Sequence, residues 1–219
     1  MIIHELKAIH IHIPKTAGVS FEHAIMSEIL GRDTSGDIGK MPNNLKHQFS
    51  VANKQKHKQA RFYVSDKDLA KQQWDTYYKF TIVRNPWDRL VSEYCWRQDR
   101  PNKKFLPETF EKFINYCAAR IKDPGTLYSR RDIYYTHGLT QESYVTNNKG
   151  KIILDEIFRF EDLPTAVETL KTKLDLTFSH LKRHNSSRRK DYHEYYNKKT
   201  KDKVANIYKK DIEMFEYDF

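Results

Sequence analysis

Glycine and cysteine are scarce in this chain of 219 residues, which has 7 glycines and 2 cysteines. Neither Gly-Lys pair, at 39–40 and at 150–151, completes the G-x-x-x-x-G-K-[ST] pattern of Walker-type nucleotide loops, and no G-x-G-x-x-G fingerprint occurs. Cys95 and Cys117 cannot build a disulfide framework or a C-x-x-C metal site. These absences exclude a Walker-type ATPase and suit a protein of the reducing cytoplasm.

Long apolar runs are also missing. No stretch of about 18 apolar residues could span a membrane, and the first residues lack the basic and apolar regions of a secretory signal. Hydrophobic residues make up 38%, but 14 Tyr, 12 Phe and 3 Trp provide enough aromatic surface for a packed core. We expect a soluble, cytoplasmic chain without a membrane span, folded as one domain over residues 1–219.

The chain carries a net charge of +10, and acidic residues are absent from one segment and sparse in another. Residues 46–61 carry +5 without any acid, residues 180–203 carry +6, and the remainder sums to −1. Charge concentrated in two segments indicates a localised anionic ligand: nucleic acid, a phosphorylated cofactor or an acidic polysaccharide.

Two strand–turn–helix patterns organise the chain. Residues 8–13 alternate like a strand and residues 19–30 have helical apolar spacing, so residues 14–18 form the turn between them. Residues 80–83 resemble a buried strand, and a helix is predicted at 87–97. Further elements are expected as a strand at 151–160 and helices at 108–121, 163–174 and 200–214. The pattern predicts an α/β fold with a central parallel sheet flanked by helices, whose ligands bind at the carboxyl ends of the strands.

The first turn carries groups suited to an anion. Lys15 supplies a charge, Thr16 and Ser20 supply hydroxyls, and the helix that follows Gly18 presents its N-terminal amides. The helix dipole and these amides favour a phosphate at such a turn.

The second turn adds Arg84 at the end of its strand and Ser92 two turns into its helix. The motifs H-I-P-K-T-A-G-x-S at 12–20 and R-N-P-x-D-R-x-x-S-x-Y at 84–94 together resemble the cofactor motifs of sulfotransferases that use 3′-phosphoadenylyl sulfate. The carbohydrate sulfotransferase type is the most similar, and the resemblance extends through residues 56–60, 74–80, 141–144, 160–163 and 185–187 to the end of the chain.

The resemblance implies a P-loop-NTPase-like sulfotransferase fold without a metal, and it implies a set of cofactor-binding residues. The 5′-phosphosulfate would be held by Lys15, Thr16, Ala17, Gly18 and Ser20. The 3′-phosphate would be held by Arg84 and Ser92, with a late basic loop that includes Ser187 and Arg188 closing over it. Lys15 would also be catalytic, because negative charge grows on the bridging oxygen as the sulfur–oxygen bond breaks.

Direct attack of an acceptor hydroxyl on sulfur requires a general base. His57 matches the place where carbohydrate sulfotransferases carry theirs, and His47, which also follows a lysine, is the rival. His10 and His12 share one strand face, where packing is favoured over metal binding because the sequence offers no evident third ligand. Asp88 is interpreted as a helix-start cap or an ion-pair partner.

We therefore predict sulfuryl transfer from 3′-phosphoadenylyl sulfate to a hydroxyl acceptor, a carbohydrate by resemblance, with 3′-phosphoadenosine 5′-phosphate as the product and no nucleic-acid partner. One alternative is a small-molecule kinase with a degenerate phosphate loop, but Arg84 stands where its Mg²⁺ carboxylate would be expected. The other is a non-catalytic module that binds RNA or polysaccharide through basic residues, with Tyr192, Tyr195 and Tyr196 as stacking partners.

Overall fold

The computed structural model describes residues 1–34, 49–50, 57–63, 71–99, 107–122, 135–178, 181 and 189–219. The chain divides into two compact units, one formed by residues 1–83 and 143–184 and the other by residues 84–142 and 185–219. Each unit has its own hydrophobic core. One domain over residues 1–219 stays a prediction.

The first unit is built on a five-stranded sheet with the order β3-β1-β2-β4-β5. Its strands are β1 (Ile2–Ile3), β2 (Ala8–His10), β3 (Phe49–Ser50), β4 (Tyr78–Val83) and β5 (Glu156–Arg159). The strands β2, β4 and β5 run parallel, which confirms the predicted central parallel sheet. The antiparallel additions β1 and β3 were not predicted, because two residues are too few to show a strand period.

The helices of the first unit are α1 (Gly18–Leu30), α2 (Lys71–Thr76) and α6 (Leu163–Leu174). The main core combines apolar side chains of α1, the sheet and α6, among them Phe21, Ile25, Phe80 and Leu170, all at most 1% exposed. Because α1 begins directly after the turn that follows β2, this packing fixes the turn between two buried elements.

The second unit is helical. It contains α3 (Pro86–Gln98), α4 (Phe110–Lys122), α7 (Lys198–Ile207) and α8 (Lys209–Phe215), and a short helix α5 (Glu142–Val145) starts at its boundary. Aromatic and aliphatic side chains of α3, α4 and α7 form the core, including Trp87, Phe113 and Val204. Helix α3 is thereby held along its buried face, where Ser92 lies.

Two predicted elements differ from the structure. The helix expected at 200–214 is broken at Tyr208, whose buried hydroxyl donates a hydrogen bond to the carbonyl of Gly138 at 2.8 Å. The strand expected at 151–160 is reduced to β5, and Ile152 forms only an isolated bridge with Thr146. Tyr208 leaves helical geometry, with a φ of −105° and a ψ of 25°, and a single bridge at Ile152 is too short to extend the strand.

Among the residues that the structure describes, no helix is both long enough and apolar enough to cross a membrane. The predicted cytoplasmic location stays a prediction.

A buried carboxylate ties α8 to the segment before α5. The two carboxylate oxygens of Asp211 accept hydrogen bonds from the backbone N–H groups of Gln141 and Glu142, each at 2.8 Å. Asp211 is completely buried. Burial raises the pKa of its carboxyl to about 6, although the nearby Arg89 guanidinium and the two N–H donors oppose the rise.

This pKa predicts how Asp211 affects stability. Because the folded protein holds the proton more tightly than the unfolded chain, the contribution of Asp211 is most favourable below pH 4 and is lost as the pH rises to about 6. The loss is on the order of 3 kcal/mol. We expect the difference in unfolding free energy between the wild type and Asp211→Asn, measured by urea denaturation, to increase as the pH falls from 7 to 4. The exposed Asp202 on α7 provides the control Asp202→Asn, which should show no such trend. A flat difference for Asp211→Asn would contradict the raised pKa.

Candidate active site

The turn between β2 and α1 holds two non-glycine residues in the left-handed region of backbone space. Lys15 has a φ of 70° and Ala17, the residue before α1, has a φ of 66°. Each such conformation costs roughly 1 kcal/mol for an L-residue, and strain of this kind is concentrated at functional sites. By helical geometry the first amides of α1 point out of its N-terminal end, toward this turn.

Thr16 ties the turn together from inside. Its side chain is completely buried, and its hydroxyl donates a hydrogen bond to the carbonyl of Ile13 at 2.9 Å. Ser20 is also buried, in the first turn of α1, and its backbone N–H bonds to the carbonyl of Ala17 at 2.9 Å. The structure therefore brings together Lys15, Thr16, Ala17, Gly18 and Ser20, as the sequence predicts. Their role in cofactor binding stays a prediction.

The ring of His12 leaves no space for a side chain at position 18, where the sequence has glycine. A Cβ atom built on Gly18 would lie 2.7 Å from both Cδ2 and Nε2 of His12 and 2.9 Å from Cε1. These distances are shorter than real Cβ contacts, so any side chain at position 18 displaces either the ring or the start of α1. The glycine of the motif is therefore needed for close packing against the end of the preceding strand.

Glu22 joins His10 and His12 in a buried cluster that the sequence did not predict. Its Oε1 atom lies 2.8 Å from Nδ1 of His12 and 3.2 Å from Nδ1 of His10. Burial alone would raise the pKa of the Glu22 carboxyl, but the charge and hydrogen bonds of the two imidazoles hold it well below its usual range. The sequence offered one sign of this cluster: Glu22, four residues after Gly18, lies between apolar residues of the predicted helix, where a charged side chain needs a partner.

The same cluster bears on the interpretation of the two histidines. Glu22 adds a third side chain with an atom that could bind a metal, and these atoms of the three residues lie within 4.8 Å of one another. The preference for packing over metal binding stays a prediction. Both Nδ1 atoms contact the same carboxylate oxygen, so the cluster is a hydrogen-bonded group of three buried side chains.

His57 lies beside His12. Its Nδ1 atom is 3.3 Å from the backbone carbonyl oxygen of His12, and the two rings meet edge to face with centroids 4.7 Å apart. A carbonyl can only accept, so this contact requires the proton of a neutral His57 on Nδ1 and leaves the lone pair on Nε2. That tautomer is the one a general base needs. The rival His47 lies outside the described residues.

In the second unit, Arg84 directly follows β4 and is 6% exposed. Its Nε and Nη2 atoms lie 2.8 Å and 2.6 Å from Oδ2 of Asp88, one turn along α3. The side-chain amide of Gln141 accepts from the Arg84 backbone N–H at 2.9 Å and donates to its carbonyl at 2.7 Å. Both the backbone and the guanidinium of Arg84 are therefore positioned by neighbours within this unit.

Asp88 is an ion-pair partner and not the cap of α3. The cap is Asn85, whose side-chain oxygen accepts from the N–H groups of Trp87 and Asp88. The other carboxylate oxygen of Asp88 lies 2.5 Å from Nη2 of Arg189. Two arginines thus converge on one carboxylate. Arg189 belongs to the basic segment at 180–203, but its ion pair with Asp88 was not predicted.

Ser92 is 7% exposed on α3, one turn beyond Asp88. Residues four apart share a helix face, so Ser92 and Asp88 lie on the same side of α3. Ser187 and Arg188 of the predicted late loop lie outside the described residues, and Arg189 is the first residue after them that the structure describes.

The sequence matches the model of the sulfotransferase family over residues 1–218. This match covers nearly the whole chain, so the protein belongs to the sulfotransferase family. No curated protein and no solved structure matches it significantly.

The contact between Gly18 and His12 generates a prediction. We expect Gly18→Ala to lower the unfolding free energy by about 1–3 kcal/mol, because the overpacking outweighs the gain in helix propensity. In the double variant with His12→Ala the clash is relieved. The double variant should therefore lose less unfolding free energy than the sum of the losses of the two single variants in a double-mutant cycle. Denaturant unfolding of the four proteins measures this coupling.

Gly150→Ala is the matched control, because Gly150 has a φ of 75° with nothing close to an added Cβ. Its cost should come from backbone strain alone and should be additive with His12→Ala. Equal additivity for Gly18→Ala would show that the His12 ring does not restrict position 18.

Proposed function

We propose that this sulfotransferase moves a sulfuryl group from 3′-phosphoadenylyl sulfate to a hydroxyl group of a carbohydrate acceptor. The observation that carries the proposal is the turn before α1. Two residues there, Lys15 and Ala17, have left-handed backbone conformations directly before a helix N-terminus. The first turn of α1 contains no acidic residue, which suits a bound anion. The carbohydrate acceptor rests on the resemblance of the motifs to carbohydrate sulfotransferases.

The residues of this turn fit the phosphosulfate end of the donor. Lys15 supplies a full positive charge in the turn that precedes α1. Together with the N-terminal amides of α1, such a charge would stabilise the negative charge that develops on the bridging oxygen as the sulfur–oxygen bond breaks. The residues that would bind this end are Lys15, Thr16, Ala17, Gly18 and Ser20.

Within the second unit, Arg84 and Ser92 fit a phosphate. A guanidinium forms paired hydrogen bonds to phosphate, and a hydroxyl adds a shorter one. Arg189 contacts the same Asp88 carboxylate as Arg84, so a second guanidinium lies close to the proposed phosphate site. We assign the 3′-phosphate to Arg84 and Ser92, and to the late loop through Ser187 and Arg188.

His57 fits the role of the base. The new bond forms between the acceptor oxygen and sulfur, the bond from sulfur to the phosphate oxygen breaks, and the acceptor proton passes to Nε2 of His57. The contact of Nδ1 with the His12 carbonyl leaves Nε2 as the nitrogen that can take this proton. His57 must be neutral for this step, so activity should fall as the pH drops through its pKa.

Nucleotide binding tests the donor assignment. We expect 3′-phosphoadenosine 5′-phosphate to raise the melting temperature in a metal-free buffer, because both phosphates find cationic groups. Adenosine 5′-phosphate lacks the group that Arg84 and Ser92 would bind, so it should bind at least about 10-fold more weakly in calorimetry. Arg84→Ala should remove most of that difference. Equal affinity for the two nucleotides, or binding that requires Mg²⁺, would favour a kinase.

Substitution of the two candidate histidines tests the base. His57→Ala should lower turnover by roughly 10²–10⁴-fold with little change in nucleotide affinity, and the acidic limb of its pH–rate profile should disappear. His47→Ala serves as the control and should have a mild effect. If the two variants exchange these phenotypes, His47 is the base. If both stay active, neither histidine takes the proton.

A further inference from the structure

We propose that Glu22 is a positioning residue for sulfuryl transfer, acting through His12 on both His57 and the start of α1. This inference rests on the proposed function for its kinetic consequences. Its structural content, a carboxylate that controls His57 through one intervening ring, can be measured without turnover.

The first observation is that Glu22 occupies a place in the core that packing alone would give to an apolar residue. It is 6% exposed, and its helix neighbours Phe21 and Ile25 are buried in the apolar core. An ionised carboxylate is costly to bury unless it is paired. Its partners are His10 and His12, which are 1% and 2% exposed. A buried polar group of this kind specifies one arrangement of the side chains around it.

The second observation is how tightly His12 is enclosed. Glu22 contacts Nδ1 at 2.8 Å, while the opposite edge of the ring, with Nε2 and Cδ2, lies against Gly18. Both contacts come from α1, four residues apart, so the ring is held across one turn of the helix. Movement of the ring would change the place of Gly18, and with it the first amides of the helix.

The third observation links the ring to the candidate base. The rings of His57 and His12 meet edge to face with centroids 4.7 Å apart, and Nδ1 of His57 contacts the His12 carbonyl. A second imidazole this close disfavours a positive charge on His57 when it is itself protonated, whereas a nearby carboxylate favours that positive charge. Among the described residues, the titratable groups next to this pair include His10, which shares Glu22, and Lys58, whose ammonium lies over the ring of Tyr63. Glu22 is the carboxylate that contacts His12, so its negative charge favours a proton on the neighbouring imidazoles.

Glu22→Gln separates charge from geometry, because the amide oxygen still accepts a hydrogen bond from His12. Loss of the negative charge should lower the pKa of His57, measured by NMR of imidazole-labelled protein, by about half a unit or more. The acidic limb of the pH–rate profile should shift to lower pH by the same amount. Glu22→Ala removes the contact as well, and we expect turnover to fall by about 10–100-fold, as for other groups that orient a reacting side chain.

Glu93→Gln is the matched control. Glu93 is 1% exposed and accepts from Nδ1 of His137 at 2.8 Å, the distance found between Glu22 and His12. It lies in the other compact unit. Its substitution should lower the melting temperature and leave the pKa of His57 and the pH–rate profile unchanged.

The outcomes separate this inference from the proposed function. If wild-type protein transfers no sulfuryl group but Glu22→Gln lowers the pKa of His57, the positioning stands and the proposed function fails. If the enzyme is active and Glu22→Gln changes only the melting temperature, as Glu93→Gln does, the inference is overturned. Stoichiometric metal that elemental analysis finds in the wild type and not in Glu22→Gln also overturns it, because Glu22 would then be a metal ligand.

Discussion

The contact between the His12 ring and Gly18 is the constraint on which the first unit's candidate site depends. It brings the segment just after β2 and the start of α1 closer together than any side chain at position 18 permits. The chain between them then has only a few residues to reverse direction, and it does so through left-handed conformations at Lys15 and Ala17. Backbone strain, a lysine and helix amides are thus concentrated at one turn, and this combination suits an anion although the sequence lacks a glycine-rich loop.

Buried charge is handled in a similar way in both units. Glu22 is paired with the imidazoles of His10 and His12, and Asp88 is paired with the guanidiniums of Arg84 and Arg189. Such pairs seldom add much stability compared with an apolar core, because each charge loses its hydration. Their value lies in fixing direction: an imidazole or guanidinium held by a carboxylate is already oriented when a ligand arrives, and less entropy is lost on binding.

The sequence predicted the parts of the fold that depend on local periodicity. The spacing of apolar residues placed α1, α3 and α6 within one or two residues of their observed ends, and the parallel pairing of β2 with β4 followed from the alternation of strands and helices. It could not predict β1 and β3, since their pairing depends on distant residues. The Glu22 cluster and the pairing of Arg189 with Asp88 were missed for the same reason. A charged residue in one helix turn or one basic run shows its partner only after the chain has folded.

The motifs indicate two candidate ligand-binding turns, but they do not show which contacts hold those turns in place. The family match over residues 1–218 supports the class of enzyme, whereas donor, acceptor and base rest on the chemistry of individual side chains. The most direct measurement is transfer of radiolabelled sulfate from 3′-phosphoadenylyl sulfate by the purified protein to a panel of glycans, simple alcohols and phenols, without added metal. We expect label in at least one glycan hydroxyl, with stoichiometric release of 3′-phosphoadenosine 5′-phosphate. Absence of transfer to every acceptor, by protein that is folded and binds the nucleotide, would contradict the assignment.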